Sequence, residues 1–364
     1  MNVLRSISML AVMTMLAASP AAAQISLTPP GVETPTPEPS KPAARPKSKP
    51  REVVKEAVKK PAAAAPKPAA TPVPDQTVTP APVPDDPNAD YVYAAYQRGR
   101  YKTAFDLATK RVQEKGDPKA MTMLGELYAN GLGVKLDYDK AIDWYRRASA
   151  AGDREGMFAL AMLRLSGRGG PGGGGEAAKL LASAAKLGSA KASYNLALLY
   201  IDGQNLPQDL KRAAELLRVA ADAGNPEAQY ALATFYKEGT GVPKDIEKSV
   251  RLLQAAALAD NVEAEVEYAI ALYNGTGTPR NQAAAVALLR KAAKQNNPIA
   301  QNRLAWALSS GHGAPVDRVE ALKWHIVAKT AGKGDPMLDD AFADMSPEDR
   351  AKAEAAARQW LGAK

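Results

Sequence analysis

The chain has no cysteine, two histidines and four phenylalanines among its 364 residues. Without cysteine there are no disulfide staples, no thiolate nucleophiles, no sulfur ligands for a metal and no site for N-terminal lipid attachment. The two histidines, His312 and His325, lie in no metal-ligand spacing and beside no evident nucleophile, so no metal centre or acid–base pair is visible. Acidic residues are plentiful, but they are scattered along solvated helix faces or stand where helices begin. Long hydrophobic runs are also missing, the apolar stretch at residues 7–18 being too short to span a bilayer comfortably. The glycine run around residues 169–175 satisfies a G-x-G-x-x-G spacing only because nearly every residue in it is glycine. It follows a helical pattern rather than a strand, lacks GK[ST] and meets Glu176, so it reads as a turn and not a phosphate cradle.

What the chain does have begins at its N-terminus. Arg5 precedes the apolar stretch, and Ala21, Ala22 and Ala23 follow it, which is the order of a cleaved secretory signal peptide over residues 1–23. The expectation is an exported protein, periplasmic or secreted, with no transmembrane helix in the mature chain. Residues 24–88 then read as a disordered Pro/Ala/Lys-rich linker, since residues 28–87 hold 17 of the 28 prolines and show no apolar period. The net charge is +8, and residues 41–67 carry nine basic groups against Glu52 and Glu56. Such a run is a solvated spacer first, with weak attraction to anionic cell wall or lipid as its functional reading. Export removes nucleic acid as a partner.

From Asp117 a strict period of 36 residues runs through six blocks without an insertion or deletion and ends at Gly332. The fifteenth position is always glycine, from Gly131 to Gly311, and the thirty-second always alanine, from Ala148 to Ala328. A period of this size signals stacked supersecondary units. Each block opens on Asp, Ser or Asn, with proline next at Pro118, Pro226 and Pro298, the signature of a capped helix start. Apolar residues at positions 4, 8 and 11 give the first helix its inner face. The invariant glycine ends it in a left-handed conformation. Asp137, Asp209, Asp245 and Asp317 are placed to cap a second helix, whose small residues at positions 25 and 32 let helices approach closely. Gly152, Gly188, Gly224 and Gly332, with Asp260 and Asn296 in their place elsewhere, close the unit at positive φ. In the second block Gly173 stands where aspartate is expected, which predicts a loose turn and a poorly capped helix. Residues 89–116 predict a capping helical hairpin, and residues 333–364 a capping segment whose last helix starts at Ser346 and Pro347.

Leu124-Gly125 with Tyr128, then Gly131-Leu132-Gly133-Val134, Asp137, Lys140-Ala141, Trp144 and Ala148, resembles the Sel-one-like repeat, a relative of the tetratricopeptide repeat; block 4 repeats much of the pattern. The resemblance covers residues 117–332. It implies an all-α fold, a right-handed α-solenoid of stacked helix-turn-helix units, acting as a non-enzymatic adaptor or scaffold in bacterial envelopes and their signalling. Two roles compete, periplasmic regulator of a sensor kinase and assembly scaffold. A cell-wall-active hydrolase or β-lactam-binding enzyme is the alternative of a different class. The enzymatic activity proposed for cysteine-rich relatives does not carry over to a chain without cysteine. No cofactor or metal is expected.

The candidate partner-binding residues lie at first-helix positions 6, 10 and 13, a face separate from the core stripe. They are Phe158 and Met162 in block 2, Tyr194 and Leu198 in block 3, Tyr230 in block 4, Ile270 and Tyr273 in block 5, and Trp306 in block 6; Leu165 and Ile201 share the spacing. On the inner wall of a tetratricopeptide-like stack these side chains form an apolar and aromatic groove of the kind that anchors a partner segment. That reading expects Tyr194→Ala with Tyr230→Ala to weaken partner capture while leaving the thermal melt almost unchanged.

Overall fold

The computed structural model describes residues 90–168 and 173–362. The expected signal peptide and linker lie outside them, as does the glycine run at 169–172. Among the described residues there are sixteen helices and no strand. A hairpin of α1 (Tyr91–Gln97) and α2 (Tyr101–Lys115) comes first. Six helix pairs follow: α3 (Pro118–Asn130) with α4 (Tyr138–Ala150), α5 (Arg154–Leu165) with α6 (Gly173–Lys186), and α7 (Ala190–Asp202) with α8 (Leu210–Asp222). Then come α9 (Pro226–Glu238) with α10 (Ile246–Leu258), α11 (Val262–Asn274) with α12 (Gln282–Lys294), and α13 (Pro298–Ser310) with α14 (Arg318–Thr330). A short α15 (Pro336–Ala341) and α16 (Pro347–Gly362) close the chain. From α1 to α14 each helix packs on its neighbours in chain order, the short α15 touches α13, and α16 covers α14. No described helix is long and apolar enough to cross a membrane.

The start of every first helix is fixed by a side chain. Asp117, Asp153, Ser189, Asn225, Asn261 and Asn297 each accept a backbone N–H of the first turn, satisfying one of the donors a helix start leaves open. Second helices are capped the same way by Asp137, Asp209, Asp245 and Asp317, and also by Asn281, which the aspartate pattern passed over. The turn between the helices closes where the capping residue donates back to the first helix, as Asp245 N to Tyr236 O at 2.8 Å. The fifteenth-position glycines stand at φ 65° to 79°, and Asp260 and Asn296 at 60° and 67°. Block 2 differs twice: α5 ends on Ser166, one residue before Gly167, and α6 begins at Gly173 itself rather than after it.

The core runs through each repeat and on across the boundary to the next. One cluster joins Ala197, Ala213 and Leu217 of the third repeat to Ala228, Leu232 and Phe235 of the fourth; another joins Ala233 and Leu253 to Ala264 of the fifth. All six alanines at position 32 are fully buried, so helices meet there backbone to backbone. Size is conserved in pairs. Position 29 holds leucine in four repeats and Tyr145 in the first, where Gly125 opposes it: a Cβ on Gly125 would lie 2.5 Å from the Tyr145 ring. Tyr145 is 2 % exposed, and its hydroxyl donates to Glu126 at 3.0 Å; burial first, then Glu126, pushes that phenol far up.

Position 29 of the sixth repeat is His325, 1 % exposed. Its Nε2–H donates to Asp339 Oδ1 at 2.8 Å, the carboxylate being able only to accept, and Lys329 Nζ approaches the same carboxylate at 2.8 Å. Trp360 of α16 meets Trp324 edge to face at 5.2 Å between ring centres, which seals the last repeat. His325 is thus a packing residue tied to the C-terminal cap, and His312 sits exposed in its turn.

Candidate partner-binding face

First-helix positions 6, 10 and 13 rotate away from the buried stripe by the 3.6-residue period, so their side chains are only partly covered. All eight candidate residues are half-buried, neither sealed nor fully exposed. Phe158 leans on the cluster of Ala161, Ala177 and Leu181. Tyr194 and Leu198 lean on the cluster at the junction of repeats 3 and 4, and Tyr230 on that of repeats 4 and 5. Ile270, Tyr273 and Trp306 border the large C-terminal cluster. The candidates are therefore brought together by neighbouring repeats along a row, not into one closed pocket. Ile201, which the same spacing selects, is 7 % exposed and belongs to the core, whereas Leu165 is half-buried like the rest.

Two details distinguish members of the row. The Trp306 indole N–H donates to Asp335 Oδ2 at 2.8 Å, so its polar end is already used by the cap of α15. The tyrosines are more desolvated than a surface ring would be. Burial, then Glu227, pushes the Tyr194 phenol up to about 12, and burial, then Glu267, Glu263 and Glu238, pushes Tyr230 up further. Rings covered to this extent contribute to stability, so truncating both is expected to lower the thermal melt somewhat rather than leave it almost unchanged.

The carboxylates around Tyr230 are functional candidates that the apolar spacing did not select. The first helices of repeats 4 and 5 carry Glu227, Glu238, Glu263, Glu265 and Glu267 against the single cation Lys237. The first helices of the other four repeats carry three acidic against five basic side chains. Lys237 is spent on Glu267 at 2.8 Å. Glu265 is fully buried and is met by Lys291 at 2.5 Å and by Gln295 Nε2 at 3.3 Å, so it is a structural ion pair. Gln229 and Gln301 occupy the same repeat position and donate instead to the carbonyls of Ala221 and Ala293, both at 3.2 Å. Among the described residues Glu227, Glu238 and Glu263 form no ion pair. Burial, with Glu267 beside it, raises the Glu238 carboxyl. Counting charge helix by helix, rather than over the chain, is the sequence signal that finds this patch.

Elsewhere the chemistry is quiet. An open cleft at the first-repeat turn is lined by Lys135, Asp137, Tyr138, Lys140 and Arg168. Its charges meet one another, with Lys140 3.3 Å from Asp137 and the Arg168 guanidinium 4.3 Å from the Tyr138 ring centre. Among the described residues no group of three His, Asp or Glu side chains is arranged to hold a metal ion.

Comparison with known proteins gives the same repeat boundaries to within a residue. The model of the Sel1 repeat matches residues 118–153, 154–189, 190–225, 226–261, 262–297 and 298–333. Among solved structures, a protective antigen of uropathogenic Escherichia coli strains that displays an SLR fold is 25 % identical over 74 % of this chain and 60 % of that one, with a TM-score of 0.64. A Sel1 repeat protein from Oxalobacter formigenes is 29 % identical over 70 % of this chain and 76 % of that one, with a TM-score of 0.56. The chain thus spans about 60 % of the length of the Escherichia coli protein. No curated protein sequence matches it.

Proposed function

Because the chain belongs to the Sel1 repeat family, whose repeats form helical solenoids that act as protein-interaction scaffolds, we propose that it is an exported, non-enzymatic adaptor of the bacterial cell envelope. It holds a partner protein against the inner wall formed by its first helices. The observation that carries this reading is the row of half-buried aromatic and aliphatic side chains from Phe158 through Leu198 to Tyr230, contiguous over repeats 2 to 4. Such side chains offer contact area at little entropic cost, because packing already restrains them. The partner is a membrane sensor kinase docked by its outer part, or a component of an envelope assembly machine. The hydrolase alternative draws no support from the family match or the similar structures.

The test is in-cell photo-crosslinking from position 194 or 230, with identification of the attached protein. An envelope protein captured from both positions, and not from exposed Val219 on the second helix of repeat 3, supports the reading. Equal capture from all three positions, or from none, removes it.

A further inference from the structure

We propose that the first-helix face of repeats 4 and 5 receives the lysine-rich residues 41–67 of a second copy of this chain. The proposal rests on that face being a docking surface, and it names an occupant by charge. With Glu265 buried in its pair with Lys291, four carboxylates, Glu227, Glu238, Glu263 and Glu267, remain on these two first helices against the one ammonium of Lys237, which is already paired with Glu267. Nothing of this kind occurs on the first helices of the other repeats, where basic side chains outnumber acidic ones. Tyr194 and Tyr230 stand half-buried among the carboxylates, and the face of an aromatic ring attracts ammonium and guanidinium groups.

The complement is on the same polypeptide. Residues 41–67 hold nine basic groups and two acidic ones, interrupted by Pro42, Pro46, Pro50, Pro61 and Pro66. Every copy therefore carries both halves of the match, and the contact between copies is heterologous, each using a different surface. Charges at the rim of such a contact steer association and make it sensitive to salt.

Sedimentation of the full chain over a range of concentrations tests this. The expected result is reversible self-association at low salt that disappears at about 0.5 M salt, where the screening length falls below about 5 Å. Replacing Glu227, Glu238 and Glu263 by glutamine, residues that form no ion pair in the fold, weakens association by about tenfold or more. So does replacing the nine basic residues of 41–67 by glutamine, a change that leaves every repeat residue untouched. Mixing the two variants restores association, because one supplies an intact face and the other an intact segment. A monomer at all concentrations overturns the proposal, as does association that survives either set of changes or a mixture no stronger than its components. Crosslinks from position 194 or 230 to a different envelope protein, with the chain monomeric, leave the docking surface standing and remove only this occupant. No crosslinks at all remove the surface itself.

Discussion

The junction between repeats 2 and 3 and the junction between repeats 3 and 4 solve one steric problem from opposite sides. At the later junction, Gly241 at φ 67° brings the turn of repeat 4 onto the start of α8, and a Cβ there would run into the backbone carbonyl of Leu210. Gly133, Gly277 and Gly313 make the same approach to Lys102, Ile246 and Gln282. At the earlier junction that turn position is Asn205, and the space comes instead from Gly174 at the start of α6, where a Cβ would overlap Asn205 Oδ1. The glycine-rich start of α6 is thus more than a slack connection: it is shaped to receive a side chain that the other turns lack. Close backbone approach requires glycine on one side of the contact, and either side will serve.

The largest expected effect breaks the later junction. Gly241→Ala places a methyl against backbone that cannot swing away and strains a left-handed residue, which costs about 2–4 kcal/mol and is read as a fall in chemical denaturation midpoint. Gly174→Ala follows at about 1–2 kcal/mol, because the obstructing atom is the tip of a side chain able to rotate. That difference is specific to Asn205: in the Asn205→Gly background, Gly174→Ala becomes nearly neutral or stabilising, since it then replaces glycine within a helix. Additive costs in this double-mutant cycle mean the two residues do not share the space. Gly203→Ala comes third, at about 1 kcal/mol, with φ 75° and Gln208 Cβ at 3.2 Å from the new methyl. Gly224→Ala, at φ 82° with no atom within 4 Å, isolates backbone strain from crowding and falls at or below that value.

The smallest effect extends the contrast to the caps. Backbone donation from Lys248, then the Lys248 side chain, holds the Asp245 carboxyl below its usual value of 3.8. A depressed carboxyl stabilises the fold above its unfolded value, and this contribution is lost as pH falls through the lower, folded value. Asn281 caps α12 by the same geometry and does not titrate. Amide exchange at the first turn of α10 therefore accelerates below about pH 4 relative to that of α12, after correction for intrinsic rates. Equal acceleration at both ends means the aspartate cap contributes nothing specific.

These contrasts separate what local sequence determines from what only neighbours in space determine. The helix starts at Asp117, Ser189 and Asn297 and the left-handed stops at Gly203 and Gly311 were readable, because a cap or a positive φ depends on residues within one turn. The early end of α5 at Ser166 and the helical conformation of Gly173 were not. Nor was the use of Gly174, since its partner Asn205 lies 31 positions away and breaks a glycine pattern that had itself been read only as a motif. On the candidate face, periodicity selected half-buried positions correctly for Tyr194 and Tyr230 but placed Ile201 among them, because neighbouring repeats cover that helix unequally. The carboxylates around Tyr230 escaped a search keyed to apolar spacing. A charge count includes Glu265 without distinguishing it from the exposed carboxylates, because its burial goes with Lys291 of α12 and Gln295 at the end of that helix, 26 and 30 positions away.

Since the buried clusters straddle the boundaries between repeats, no repeat owns a complete interior, and the molecule has seams instead of modules. Lengthening such a protein by duplication works only where the cut edges are interchangeable. A copied 36-residue unit spliced after repeat 3, 4 or 5 finds a glycine turn facing an ordinary helix start. Spliced after repeat 2, it separates Asn205 from the one helix start hollowed to accept it, and that seam would have to be recut before the chain could grow there.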